Sequence, residues 1–502
     1  MNSCEASVKS PRTKGALTVT LVILLLVFSL PFVSVAALYL GLPSVYADTF
    51  VGELQDKFDR LNSICERKIV IIGGSSVAFG IDSEAMEREI GIPVVNFGLY
   101  ASLGTKLMLD LSRSNIGSED IIVIAPEMSP QTLSLYFNAE TTLQAIDGRP
   151  DMLKYIPREN YEDLIGGAFG VAASKLGYII SGHRPTNTGA YTKSCFDEYG
   201  DNDYERPYNV MTAVEPSITL DFFYNGEDSA VSDYEEFIDY VNEYVAFCEE
   251  RGASVYFSFS PMNRAALSDY NTEENIYAFY DNLATSLHCP VISDINECIM
   301  DEGYFFDSEF HLNDSGVTVR TVRLTDDIKR ELGRSDLTAS VTELPAPPGY
   351  APVDFEAGSE ENLYFELTLT KNGAGQDVYF VTGLNEEGKK QITLKIPTGV
   401  DGIPVVNVSR EAFRGSQVRT LILGNNISSI SSCALSGAEK LTAVYVGKND
   451  PTEIGVPNLS SPDGLITEGA SPRLSILVPK EAYEEYLNDY FWGDYKSWLK
   501  SY

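Results

Sequence analysis

Histidine is nearly missing from this chain of 502 residues. Its three imidazoles, His183, His288 and His311, stand far apart, with no H-x-x-x-H or H-E-x-x-H pair between them. A histidine-built metal site is therefore not expected. The seven cysteines form no C-x-x-C pair, and their odd number argues against a complete disulfide framework. One bridge, Cys289–Cys298, stays open as an alternative, while most of the others read as small buried apolar residues. Basic charge is also short: 37 Lys and Arg face 72 Asp and Glu, a formal net charge of −35. Such a surface keeps the protein soluble and repels phosphate backbones, so no nucleic-acid partner is expected. The sequence has no G-x-G-x-x-G with dinucleotide spacing and no G-K-[ST] of a phosphate-binding loop, and no cofactor is expected.

What is present is apolar and ordered. A hydrophobic content of 44% with 11% aromatics fits folded domains, and the length calls for more than one core. From Gly15 to Pro43 no side chain carries a charge, and about 20 such residues suffice to cross a bilayer as a helix. Lys9, Arg12 and Lys14 precede the run, and Asp48 and Glu53 follow it. That asymmetry predicts a short cytoplasmic tail (1–14), a membrane anchor (15–43) and an outward-facing remainder, a single-pass protein of the cell membrane. The alternative is a cleaved signal peptide, with small-residue sites at Ser34-Val35-Ala36 and Val45-Tyr46-Ala47.

Beyond residue 50, short apolar runs alternate with helical spacing. KIVIIGG (68–74), PVVNFGL (93–99), DIIVIAPE (120–127), SVYFSFSP (254–261) and PVISD (290–294) read as strands. Between them, 83–91, 105–114 and 233–252 read as helices. This alternation predicts an α/β domain over 50–332, a parallel sheet covered on both faces, with ligands bound past the carboxyl ends of its strands. Residues 129–232 break the rhythm and are too long for a loop, so they are expected to form an inserted lid or substrate-contacting subdomain. The Pro-, Ser- and acid-rich stretch 333–362 reads as a linker. After it, Val405, Val408, Ala412, Phe413 and Gly415 recur 22 residues later as Ile427, Ile430, Ala434, Leu435 and Gly437. Leu421 and Leu423 recur 23 residues later as Val444 and Val446. Such periods predict stacked coils over 363–502, closed by a cap that includes Trp492 and Trp498.

The first strand runs into Gly73-Gly74-Ser75-Ser76. A hydroxyl at such a turn projects from the sheet edge beside the amides of the next helix; the plain alternative is a tight capped connection. Position 77 is valine, so this is not the G-x-S-x-G elbow. A serine nucleophile needs a base titrating near neutrality. His311, in Asp307-Ser308-Glu309-Phe310-His311-Leu312-Asn313, has an acid close before it that can orient its ring.

The ordered blocks IVIIGGSSVAFGID, VVNFGLY and FFDSEFHLNDSG resemble those of SGNH (GDSL-like) esterases and acyltransferases, over about residues 66–332. The resemblance implies a flavodoxin-like three-layer α/β/α sandwich. It makes Ser75 the nucleophile, with Ser76 in reserve, His311 the general base and Asp307 its orienting acid. The amides of Ser75 and Gly98 would form the oxyanion hole. Three departures accompany it: Gly-Gly-Ser replaces the family's Gly-Asp-Ser, the acid precedes the histidine by four residues instead of three, and the third-block asparagine is lacking. The third strand ends at Ala125-Pro126-Glu127, where the carboxylate would hold a substrate hydroxyl or shape the pocket, and Asn263 would supply the missing donor. GVDGIPVVNVSREAF and LSILVPKEAYEEYLNDYFW resemble BspA-like leucine-rich repeats of bacterial surface proteins, over roughly 365–500. The expected function is a membrane-anchored serine esterase or O-acyltransferase acting on acylated cell-surface or capsular glycan, with a membrane-embedded acyltransferase as a candidate partner. The alternative is a catalytically inactive surface-binding protein that uses its repeats.

Overall fold

The computed structural model describes residues 19–20, 34, 36–211, 214–221, 228–334, 343–353, 355 and 363–502. The expected cytoplasmic tail and most of the expected anchor lie outside them, as does part of the expected linker. Of the uncharged run, the described residues 34 and 36–41 are helical.

The first unit is built on strands β1 (Ile69–Gly73), β2 (Val94–Gly98), β3 (Ile121–Ile124) and β4 (Ser254–Phe257), all parallel, in the order β2-β1-β3-β4. The expected strand 290–294 does not form: beyond β4 the edge is extended only by an isolated parallel bridge from Phe257 to Val291. Every residue of β1, β2 and β3 is buried, which explains their near-continuous apolar runs. The start of β1 is pinned to that of β3 by a buried ion pair, Lys68 Nζ to Asp120 Oδ2 at 2.7 Å.

Side-chain alternation sorts the strands between two cores. Val70, Ile72, Phe97, Ile124 and Phe257 share one core with α1 (Glu53–Ser63), α4 (Thr105–Ser112) and α7 (Asp228–Glu249). Ile69, Ile71, Val94 and Val123 share the other with α3 (Ser83–Ile90) and α8 (Asp314–Glu331). The protein is thus mixed α/β with a parallel sheet, as the alternating pattern predicts. The caps follow from sequence: Asp82 accepts from the Ala85 amide at the start of α3, and Gly91 ends that helix at φ 74°. Within 129–232 lie α5 (Ala139–Ala145) and α6 (Tyr161–Ser181).

The cysteines correct one open expectation. All six described are free thiols, Cys289 and Cys298 included. Burial pushes the Cys289 thiol up to about 12 and raises that of Cys298, so both are inert packing groups.

The C-terminal unit carries a second parallel sheet of β5 (Thr393–Lys395), β6 (Thr420–Ile422), β7 (Ala443–Tyr445), β8 (Ser475–Val478) and β9 (Leu499–Ser501), ordered β9-β8-β7-β6-β5. Its coil corners stack by main-chain bonds: the Gly415 amide donates to Gly437 O and the Gly437 amide to Gly469 O, each at 2.9 Å. All three glycines sit at positive φ (69°, 72° and 69°), where a β-carbon would be strained. Glu411 donates likewise to Cys433, and Cys433 to Leu465. The third coil, 32 residues after the second, is too far out of period to be seen by repeat spacing. Trp492 closes the stack, fully buried, its indole donating to Pro451 O at 3.0 Å and Ile454 O at 3.2 Å. The two units meet at Glu302, which accepts from Tyr350 at 3.0 Å and pairs with Lys500.

Trp492→Ala removes a large side chain that fills the end of the stack, which costs about 3–5 kcal/mol. The C-terminal unit should then melt roughly 10 °C or more lower, read as loss of near-ultraviolet dichroism, while the far sheet keeps its transition.

Candidate active site

The turn leaving β1 is set by close approach. Gly74 (φ −97°, ψ −144°) precedes a single helical turn, α2 (Ser75–Ala78). A β-carbon on Gly74 would overlap the Glu127 carboxylate. One on Gly98, at the end of β2, would overlap the Val77 side chain and come within 2.7 Å of Gly74 O. Sterics require glycine at position 98, whereas a side chain at position 74 would have to displace the buried Glu127 carboxylate.

Ser75 is 7% exposed. Its hydroxyl donates to Glu127 Oε1 at 3.3 Å, and the Ser76 amide donates to the same oxygen at 2.8 Å. Glu127 is buried just past β3, and its Oε2 has no hydrogen-bond partner among the described residues; nor does Ser76 Oγ. The amide of Gly98 is taken, donating to Asn96 Oδ1 at 3.1 Å. Asn96 in turn donates from Nδ2 to Val77 O at 2.9 Å and to Asp201 Oδ1 at 2.7 Å, so it fastens α2 to the inserted segment. Asp201 also accepts from the Ser83 amide at 2.5 Å and the Ser83 hydroxyl at 2.8 Å. Burial, then repulsion from Asp197, outweighs these donors and pushes the Asp201 carboxyl up to about 7.

His311 arrives on a loop closed by the antiparallel Phe305–Leu312 bridge, with the Phe306 amide donating to His311 O at 2.8 Å. Its Nδ1 is 2.8 Å from Asp307 Oδ1. The Tyr191 hydroxyl donates to the other Asp307 oxygen at 2.7 Å and stands 3.2 Å from Nδ1. The ring stacks on Phe79, with centroids 4.4 Å apart and planes at 11°, and the Arg206 guanidinium lies over the Phe79 ring at 5.0 Å. Phe79 is one turn on from Ser75, whose carbonyl accepts its amide at 2.8 Å. Burial by itself would raise the Asp307 carboxyl. The hydrogen bond and charge of His311, with Tyr191 and Arg206 behind them, hold it below the ordinary value. An ionised acid at Nδ1 keeps a proton there and leaves Nε2 as the basic nitrogen.

The structure therefore brings Asp307 and His311 together, and both to the turn that carries Ser75. The Ser75 hydroxyl nevertheless bonds Glu127 and makes no hydrogen bond to the imidazole. Asn263 is fully buried past β4. Its main-chain amide donates to Glu309 O at 3.0 Å, which ties it to the His311 loop, and among the described residues its Nδ2 and the Ser260 Oγ, both buried, have no hydrogen-bond partner. Buried polar atoms left unpaired cost about 1–3 kcal/mol each, and a polar ligand would satisfy them. His183 and His288 are exposed and take no part.

Sequence reasoning missed Tyr191, Phe79, Asn96 and Asp201. Asn96 had a signal, an amide inside an apolar strand. Tyr191 and Asp201 had none, because they come from the insertion, where no periodicity ties a residue to the sheet edge.

Asp201 gives a pH dependence with a fixed sign. Between its ordinary value near 4 and about 7, the folded state holds a proton that the unfolded state releases. Stability therefore falls as pH rises through that window. Asp201→Asn should lower stability overall, since its amide faces the Ser83 N–H, but should flatten that fall. Urea midpoints measured from pH 4 to 8 for both proteins check it; parallel curves would sink the assignment.

The chain matches no known protein family and no curated protein.

Proposed function

We propose that this chain is an exported, membrane-anchored serine esterase or O-acyltransferase of the SGNH type, acting on O-acylated cell-surface or capsular glycan. One observation carries the reading: an Asp307–His311 pair, held by Tyr191 and stacked on Phe79, stands beside the turn bearing Ser75. The strand order, with helices on both faces, suits a flavodoxin-like three-layer sandwich. Ser75, Glu127 and Asn263 all lie past the carboxyl ends of strands, where such folds bind ligands. The coil stack of the second unit suits a BspA-like leucine-rich-repeat module that presents a recognition surface.

In this mechanism substrate binding turns the Ser75 hydroxyl from Glu127 to Nε2 of His311. The oxygen attacks the acyl carbonyl and its proton passes to the ring, whose positive charge the ionised Asp307 stabilises. The tetrahedral oxyanion takes a hydrogen bond from Asn263 Nδ2, a buried donor with no partner among the described residues. Proton return from Nε2 releases the sugar alcohol and leaves acyl-Ser75. Water or a second sugar hydroxyl, deprotonated by His311, then removes the acyl group. Glu127 accepts a hydrogen bond from a substrate hydroxyl through Oε2.

A second reading, a binding protein on a lapsed scaffold, draws on the Ser75–Glu127 bond, which occupies the would-be nucleophile. Fluorophosphonate labelling and short-chain aryl-ester turnover separate the two. The enzyme reading expects label on Ser75, none in Ser75→Ala, and a kcat lowered about 10²–10⁴-fold in Asp307→Asn. Equal turnover in the wild type and Ser75→Ala leaves the binder.

A further inference from the structure

Helix α6 is inside out by the usual rule for a soluble protein. One face, with Leu164, Ala168, Val171 and Ala172, is buried against the first unit. The adjoining face presents Ile165, Phe169, Ala173, Leu176 and Ile180, all exposed, at spacings of 4, 4, 3 and 4 residues. Phe169 is 68% exposed and Ile180 76%. From Ile165 to Ile180 the one charged residue is Lys175, and it points inward to Asp147 Oδ1 at 2.5 Å. Surface helices place charge outward and apolar residues inward. A continuous exposed apolar stripe marks an interaction surface.

What covers it follows from where the uncharged run joins the domain. The described end of that run, residues 36–41, packs on the same region: Tyr39 donates its hydroxyl to Leu143 O at 2.6 Å. Lys175 of α6 donates to Tyr39 O at 3.0 Å and Leu42 O at 3.3 Å. Asp147 accepts from the Val45 amide at 2.8 Å and the Tyr46 amide at 3.2 Å as well as from Lys175. An apolar groove of about 170 Å³, lined by Ala36, Leu40, Tyr161 and Ile165 among others, joins the end of the run to the start of the stripe. Leu38 and Leu40 are exposed beside it. The run and the stripe are thus one apolar surface, fixed together by a buried ion pair.

We infer that α6 lies flat on the lipid bilayer, its Ile165–Phe169–Leu176–Ile180 stripe sunk into the boundary between headgroups and acyl chains. This rests on the reading that the Gly15–Pro43 run spans the membrane. A helix of 21 residues is about 31 Å long, but its packed inner face keeps it from spanning, so it binds in the plane of the interface. Exposed Glu162 and Asp163 precede the stripe, so attraction to anionic headgroups is not the driving force. Apolar burial is, and it is insensitive to salt. A domain held this way acts on substrates close to the membrane surface.

The test uses the full chain reconstituted in phosphatidylcholine vesicles whose acyl chains carry bromine at shallow positions. Phe169→Trp and, separately, Leu176→Trp are compared with Leu459→Trp, a position 73% exposed in the second unit; the parent chain supplies the Trp492 and Trp498 background. The expected result is blue-shifted emission from positions 169 and 176, quenched several-fold more than position 459 and unchanged by high salt. Vesicles that float with the protein while both probes stay red and unquenched overturn the inference alone. Blue-shifted, unquenched emission that depends on protein concentration assigns the stripe to a second copy and overturns it too. Protein that fails to float removes the spanning reading and the inference together.

Discussion

The candidate site depends on how closely three stretches of backbone approach at the edge of the parallel sheet. Gly74 lies against the Glu127 carboxylate, which a side chain there would displace, and Gly98 lies against Val77 and the Gly74 carbonyl, with no room for a side chain. That crowding drives the Ser75–Ser76 turn into the interior, where each polar atom needs a partner. Glu127 takes the Ser75 hydroxyl and the Ser76 amide, and Asn96 takes the Gly98 amide and the Val77 carbonyl. The atoms left without a partner among the described residues, on Ser76, Glu127, Ser260 and Asn263, mark where this packing is polar but incomplete.

The imidazole reaches that edge by other means. No strand carries His311; a loop does, and the loop is held by side chains from distant segments. The stack on Phe79 is worth about 0.5–1.5 kcal/mol beyond area burial. The hydrogen bonds to ionised Asp307 are worth about 1.5–3 kcal/mol each. Together they fix the ring plane and leave Nε2 as the basic nitrogen. Because Tyr191 is itself made a weaker acid by burial and by Asp307, it stays a neutral donor and cannot compete for the proton. The Ser75 hydroxyl rests on Glu127 in this state. Catalytic hydrogen bonds in unliganded sites are often made only when substrate binds, and under the proposed mechanism the Glu127 contact is the resting position of the hydroxyl.

The inserted segment 129–232 has two duties. Tyr191, Asp201 and Arg206 build the site from one side. α6, earlier in the same segment, carries the apolar stripe and the Lys175–Asp147 pair that holds the end of the N-terminal run. One insertion thus links the end of the N-terminal apolar run to the candidate site.

The sequence alone determined the four central strands, their flanking helices and the glycine-rich turn, because buried parallel strands need unbroken apolar runs and helix caps are local; the short run 290–294 made only a bridge. It also marked Asp307 and His311 as a pair, since they are neighbours in the chain, and the 22-residue coil repeat. Only the tertiary structure decided that the Ser75 hydroxyl meets Glu127 and that Tyr191 completes the histidine's setting. It likewise left Cys289 and Cys298 unbridged, added a third coil 32 residues on, and turned the apolar face of α6 outward. Periodicity reports that a face is apolar or a residue polar. What lies opposite is set by contacts between segments far apart in the chain, and no local pattern records those.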